Sequence, residues 1–257
     1  MSELLFVGAG LFDELDLSRR AVEALAGCGA IFAEEYTAVL APGWLERLSA
    51  TVGHPIEPLD RARVEDGSTV LEALDRHPRV GFVVPGDPFA ATTHVALRIA
   101  AEDRGHRWSY LPGASILTAA SGLLGLQPYR FGRVVSLPFP SPGFEPTSPL
   151  VMIGANRSAG LHSLLLLDLR PAEGRFLTGP EAVGILRERD PTGRWLPSEV
   201  ELAIVARAGS PTASAIYGPA AELVHLDLGA PLHCLVVPAP ELHFEEARAI
   251  ERWRLRR

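Results

Sequence analysis

Apolar residues in this chain come in short runs that alternate with amphipathic stretches, the pattern left by strands and helices taken in turn. "LLFVGAG" (4–10) reads as a buried strand entering a tight turn. "SRRAVEALAG" (18–27) reads as a helix: Ser18 stands at the N-cap, Leu17 and Val22 at the positions of a hydrophobic staple, and Gly27 at the end. "AIFAEE" (30–35) and "VGFVVPG" (80–86) are further strands, and a helix is expected from about Thr93 to Arg104, stopped at Gly105. These βα units predict a mainly parallel sheet with helices on its faces.

The pattern shifts at "WSYLPGAS" (108–115), where a strand ends in Pro-Gly and a helix of small residues, "SILTAASGLLG", follows. A domain boundary is expected there, giving two α/β domains over residues 1–111 and 112–257. The second half carries a Pro-rich loop (136–149), then the strands "HSLLLLDLR", "EVELAIVARAG" and "PLHCLVVP". Its helices are "TGPEAVGILRERD" and a C-terminal one from about Glu241. It has fewer clean βα units, so its sheet is expected to be mixed.

Length agrees with this division, since 257 residues exceed one domain of about 150. With 47% hydrophobic and 21% charged residues the composition is globular. No run reaches the roughly 18 apolar residues of a membrane helix, and "MSELLFVGAG" lacks the basic start of a secretion signal. A cytoplasmic protein is expected. Cys28 and Cys234 form no CxxC, and the eight histidines form no HxxxH or HExxH, so no metal site is expected. All 24 basic residues are arginine. The absence of lysine excludes Schiff-base catalysis and a P-loop. A net charge of -7 disfavours a nucleic-acid partner, and the basic tail "RWRLRR" (252–257) reads as a solvated helix end.

Candidate chemistry collects in four loops at strand ends: "VGAGLFDE" (7–14), "VVPGDPFAATTH" (83–94), "LPGASILTAA" (111–120) and "VARAGS" (205–210). In open α/β sheets ligands bind beyond the carboxyl ends of the strands, and glycine there allows close backbone approach. The first loop is not a dinucleotide fingerprint, because Asp13 stands where the third glycine belongs.

The whole set, "LLFVGAGLFDELDLS", "FAEEYTA", "PGDPFAATTH", "PGASILTAASGLLGLQPYRFGR", "EPTSPL", "LHSLLLLD", "ARAGS" and "PLHCLVVP", resembles the diphthine synthase family. That family belongs to the tetrapyrrole-methylase-type methyltransferases, and the likeness runs in order from residue 4 to about residue 240. The GDP loop marks the wider superfamily; "GDPxxATTH" together with "GLQxYxFG" marks the diphthine branch. The resemblance implies two α/β domains with S-adenosylmethionine in the cleft between them, in a homodimer. By similarity the cofactor contacts fall on Leu11, Asp87, Ala90, Ser115, Ile116, Leu167, Ala208 and His233. Ala90 replaces a larger aliphatic residue of the family, and Glu35 an aromatic one.

Each residue also has a plain structural reading. Asp87 can close an Asx turn, Ser115 can cap a helix, His233 can be a satisfied core histidine, and Leu11, Ile116 and Leu167 can be simple core. The implied reaction is repeated methylation of the amino group of a 3-amino-3-carboxypropyl-histidine on translation elongation factor 2, giving diphthine. Asp87, Tyr36 and His94 are candidate bases by chemistry alone, with solvent a fourth route. Three other readings stay open: a precorrin or uroporphyrinogen methylase, a ribosomal-RNA methyltransferase and a non-enzymatic sensor.

Overall fold

Strand β1 (Glu3–Gly8) is apolar after Glu3 because both of its faces are buried from Leu4 on. Leu4 and Phe6 point into one core cluster, Leu5 and Val7 into another. The same division runs along the neighbouring strand β4 (Arg79–Val84), with Val80, Phe82 and Val84 on one face and Val83 on the other. Two-sided burial is what turns an alternating strand pattern into a continuous apolar run.

These strands come from a computed structural model that describes every residue except 142, 144–146 and 257. Part of the "EPTSPL" motif and of the Pro-rich loop therefore lies outside the described residues. The chain divides into two units, Met1–Ile116 and Leu117–Arg257.

In the first unit β1 is followed by α1 (Arg19–Ala26), β2 (Ala30–Glu34), α2 (Trp44–Val52), β3 (Glu57–Leu59), α3 (Arg61–Asp66) and α4 (Ser68–Arg76). Then come β4, α5 (Val95–Asp103) and β5 (Arg107–Leu111). The sheet has order β3-β2-β4-β1-β5 and every pairing is parallel. Helix α1 starts as its sequence predicts: the Ser18 hydroxyl accepts from Ala21 N at 3.1 Å. Leu25 of α1 and Leu48 of α2 bury against one face of the sheet; Leu71 and Leu74 of α4 and Leu97 of α5 bury against the other.

The second unit holds α6 (Ile116–Leu124, whose first residue closes the first unit), β6 (Val135–Leu137), α7 (Ser148–Ser158), β7 (Ser163–Leu167), β8 (Leu169–Arg170) and β9 (Arg175–Phe176). After these come α8 (Gly179–Arg189), β10 (Glu201–Ala206), β11 (Ser214–Pro219), α9 (Ala220–Leu223), β12 (His233–Val237) and α10 (Phe244–Ile250). Its sheet, in order β11-β10-β12-β7-β6, is antiparallel except for the parallel β6–β7 pair. The sheet is thus mixed, as the sequence suggests. Helix α8 opens on a capping box between Thr178 and Glu181.

Two expectations need correction. "HSLLLLDLR" is not one strand. Asp168 interrupts it: its carboxylate accepts Phe139 N at 3.0 Å, and the chain turns into a small β8–β9 hairpin. The C-terminal tail is not a solvated end. Trp253 Nε1 donates to Leu123 O at 3.0 Å, Leu255 N donates to Tyr217 O at 2.8 Å, and the Arg254 guanidinium pairs with Glu201 and Glu251. Residues 36–79, to which the apolar pattern assigns nothing, supply β3 and three helices.

Candidate functional site

Because β4, β1 and β5 are adjacent and parallel, the loops after them emerge together at one end of the first unit's sheet. They are closed on one another by backbone. Ala9 N donates to Val84 O at 2.8 Å, and Gly10 and Gly86 exchange N–H···O bonds of 3.2 and 2.6 Å. A Cβ on Gly8 would lie 2.3 Å from Gly113 N, and one on Gly113 would lie 2.2 Å from Gly86 O. No side chain fits at those distances, so Gly8 and Gly113 are required by the contact of loop with loop. The close approach seen here is of backbone to backbone rather than of backbone to ligand.

Asp87 completes the closure. Its Oδ1 accepts Phe89 N at 3.0 Å, an Asx turn, and its Oδ2 accepts Gly113 N at 3.3 Å and the Tyr110 hydroxyl. The turn reading of Asp87 is therefore correct as far as it goes, and the same carboxylate also ties the loop at 85–94 to the loop after β5. Burial and the Asp87 carboxylate push the Tyr110 phenol up to about 12, so it stays a donor at neutral pH. The sequence reading missed Tyr110. Its signal was a phenol one residue from a strand end and three from Gly113.

The rest of "GDPFAATTH" serves the same turn. Pro88 O accepts from the Thr92 hydroxyl and faces His94 Nδ1 at 2.9 Å. Ala91 between them has φ +60°, a left-handed conformation that costs an L-residue roughly 1–2 kcal/mol. Asp16, also missed, accepts Leu11 N at 2.9 Å and Phe12 N at 2.8 Å and so shapes the first loop. Leu11, Asp87, Ala90, Ser115 and Ile116 thus stand on three mutually bonded loops, each residue half-buried.

Leu167, Ala208 and His233 belong to the second unit. There Ala206 pairs with His233, and the Cys234–Leu166 pairing sets His233 beside Leu167. Ala208 follows Ala206 in the turn after β10. His233 is a satisfied histidine: Nδ1 accepts Gly179 N at 3.1 Å, and Nε2 reaches Ala230 O at 3.1 Å. Burial is the main cause that lowers its basicity, so it stays neutral. Its ring fastens the start of α8. Arg207, at φ +51°, staples the same region: Nη1 donates to Leu228 O and Ala230 O, each at 2.7 Å.

The candidate bases fare poorly. Burial, with the Glu34 charge, pushes the Tyr36 phenol up to about 12. His94 is 2% exposed and bonded to its own loop. Asp87 holds three donors.

The motif "GLQPYRFG" proves to be scaffold. Glu246 of α10, fully buried, accepts Gln127 N at 2.9 Å and His243 N at 3.0 Å, pairs with the Arg130 guanidinium, and lies 3.1 Å from His162 Nε2. Gly132 abuts Asn156, whose Oδ1 would lie 2.2 Å from a Cβ there.

Residues 3–224 match the family model of tetrapyrrole (corrin/porphyrin) methylases. The chain is 42% identical over 252 residues to the diphthine synthase of Methanocorpusculum labreanum, covering 97% of this chain and 98% of that protein. It is 40% identical over 248 residues to the diphthine synthase of Methanothermobacter thermautotrophicus, covering 95% and 92%. The chain belongs to the diphthine synthase family. A crystal structure of a diphthine synthase superposes with a TM-score of 0.89 at 34% identity, over 98% of this chain and 96% of that one. Membership makes the protein an S-adenosylmethionine-dependent methyltransferase of diphthamide biosynthesis, and the relatives favour that branch over the tetrapyrrole-modifying one.

The first unit's loops suit such a donor. Segments 8–16, 85–94 and 111–116 carry Asp13, Asp16 and Asp87 and no arginine of their own, while Glu14 in the first of them is paired with Arg47 of α2 at 2.8 Å. Acidic groups of this kind favour a cation over a pyrophosphate.

Proposed function

We propose that this chain methylates the amino group of a 3-amino-3-carboxypropyl-histidine on translation elongation factor 2, with S-adenosylmethionine held by Leu11, Asp87, Ala90, Ser115, Ile116, Leu167, Ala208 and His233. The observation that carries the donor assignment is the acidic rim of three bonded loops, built around Asp87. The acceptor assignment rests on kinship with enzymes named diphthine synthase. A homodimer working in the cytoplasm belongs to the same proposal.

Bound S-adenosylmethionine supplies a methyl group already activated by its sulfonium. The task left to the chain is to orient donor and amine in line, and such positioning contributes on the order of 7–11 kcal/mol. Asp87 contributes by fixing the backbone of its loop, and the one acceptor site left on its Oδ1 would be available to a polar group of the bound donor. His233 contributes through backbone, since both ring nitrogens are occupied. The acceptor ammonium loses its proton to solvent, because Tyr36, His94 and Asp87 are each unfit or engaged.

Calorimetry tests the donor assignment. The purified protein is expected to bind S-adenosylmethionine and S-adenosylhomocysteine and to show no heat with NAD. NAD binding tighter than S-adenosylhomocysteine would refute it.

A further inference from the structure

Glu34, ending β2, and His94, just before α5, face each other inside the first unit with side chains 0% and 1% exposed. Glu34 Oε2 lies 3.7 Å from His94 Nε2, and neither atom has a hydrogen-bond partner among the described residues. The other polar atoms of the pair are engaged. Glu34 Oε1 accepts from the Thr37 hydroxyl. His94 Nδ1 lies 2.9 Å from Pro88 O, and a carbonyl only accepts, so Nδ1 carries a hydrogen.

What remains is a ring nitrogen opposite a carboxylate oxygen, closed off from water. Two bare acceptors buried face to face are costly. At 3.7 Å the two atoms lie just beyond hydrogen-bond reach, and a proton held between them as the side chains close would relieve that cost. The Phe82 ring stands edge-on to the imidazole at 5.3 Å. Tyr36 feels the Glu34 charge, and its ring is covered by Arg61 at 5.2 Å.

The pair matters because of what Nδ1 holds. Pro88 O is the point on which the strained turn through Ala91 closes, and that turn carries Asp87 and Ala90. We propose that Glu34 and His94 are positioning residues for methyl transfer: their shared proton fixes the imidazole with Nδ1–H on the Pro88 carbonyl and so holds the turn in its donor-binding form. This rests on the assignment of that turn to donor binding.

The test combines histidine ¹⁵N spectra with S-adenosylhomocysteine calorimetry on the whole protein and two variants. In the wild type His94 is expected to be protonated at Nδ1. Glu34→Gln keeps a donor toward Nε2, so affinity should stay within about twofold and Nδ1 should keep its hydrogen. Glu34→Leu removes the partner and should weaken binding about tenfold, one factor of ten being the scale of a lost hydrogen bond. A merely space-filling role would give the two variants equal affinities. Equal affinities, or a wild-type His94 protonated at Nε2 alone, overturn the proposal, and the second readout needs no variant to fold. A wild type that binds no S-adenosylhomocysteine removes the donor assignment, and with it the positioning role, even where the ring is protonated as expected.

Discussion

Glu246→Ala is expected to destabilise the second unit by about 3–5 kcal/mol, the cost of removing one partner from a buried ionic cluster. The carboxylate is fully buried and holds Arg130, His162 and two backbone N–H groups. His162 Nδ1 accepts Ala239 N at 2.9 Å, so Nε2 carries the hydrogen that points at Glu246. Deleting the carboxylate strands a guanidinium, an imidazole N–H and two amides at once. Denaturant unfolding reads the loss. Arg130→Ala together with Glu246→Ala should cost less than the two singles summed, because each removes the other's partner. A loss under about 1 kcal/mol would show that the cluster is ordinary surface pairing.

The same cluster sets a pH dependence. Burial works to raise the Glu246 carboxyl, but Gln127 N–H, His243 N–H and His162 outweigh it and hold the group below the usual carboxylate range. A depressed acid contributes stability above its unfolded value, about 4.3, and loses it as pH falls through the folded one. Acid unfolding of the wild type should therefore be steeper than that of Glu246→Gln.

Asp87→Ala is the second large effect. It is expected to weaken S-adenosylhomocysteine binding by about 1.5–3 kcal/mol, the range for a charged hydrogen-bonding group. The variant should remain folded, since Asp87 lies in a half-buried loop outside the core clusters. Tyr110→Phe deletes only the phenol among the three donors and should cost about 0.5–1.5 kcal/mol. That ordering is the signature of a carboxylate that shapes the loop. Asp87→Ala with wild-type affinity, or with lost fold and intact affinity in the residue that stays folded, sinks the assignment.

The strands of the first unit were readable because two-sided burial writes itself as apolar runs, as in 4–8 and 80–84. Helix α1 was readable because Ser18 and Gly27 bracket it. Helices α2, α3 and α4 were harder: α2 and α4 start at left-handed glycines, Gly43 and Gly67, with no side-chain cap to announce them. The break at Asp168 is not legible locally, because a single acid in "LLLLDLR" has the pattern of an outward strand position and its partner, Phe139 N, is 29 residues away. In the site, the loops were legible as glycine-rich strand ends, but their mutual closure was not. That Gly8 meets Gly113, or that Asp87 meets Tyr110, depends on the order β4-β1-β5 and cannot be read locally. The motif "GLQPYRFG", which together with "GDPFAATTH" marks the family branch, anchors α10: Gln127 N and the Arg130 guanidinium both hold the buried Glu246.

Mass spectrometry of elongation factor 2 decides which acceptor the enzyme methylates. Elongation factor 2 carrying the aminocarboxypropyl histidine, uroporphyrinogen III and ribosomal RNA are each incubated with the enzyme and methyl-labelled S-adenosylmethionine. Mass should be added in methyl steps on that one histidine, only when the precursor group is present, and neither of the other acceptors should take label. Methylated tetrapyrrole with an unchanged elongation factor would contradict the diphthine reading and leave the fold and the donor site standing.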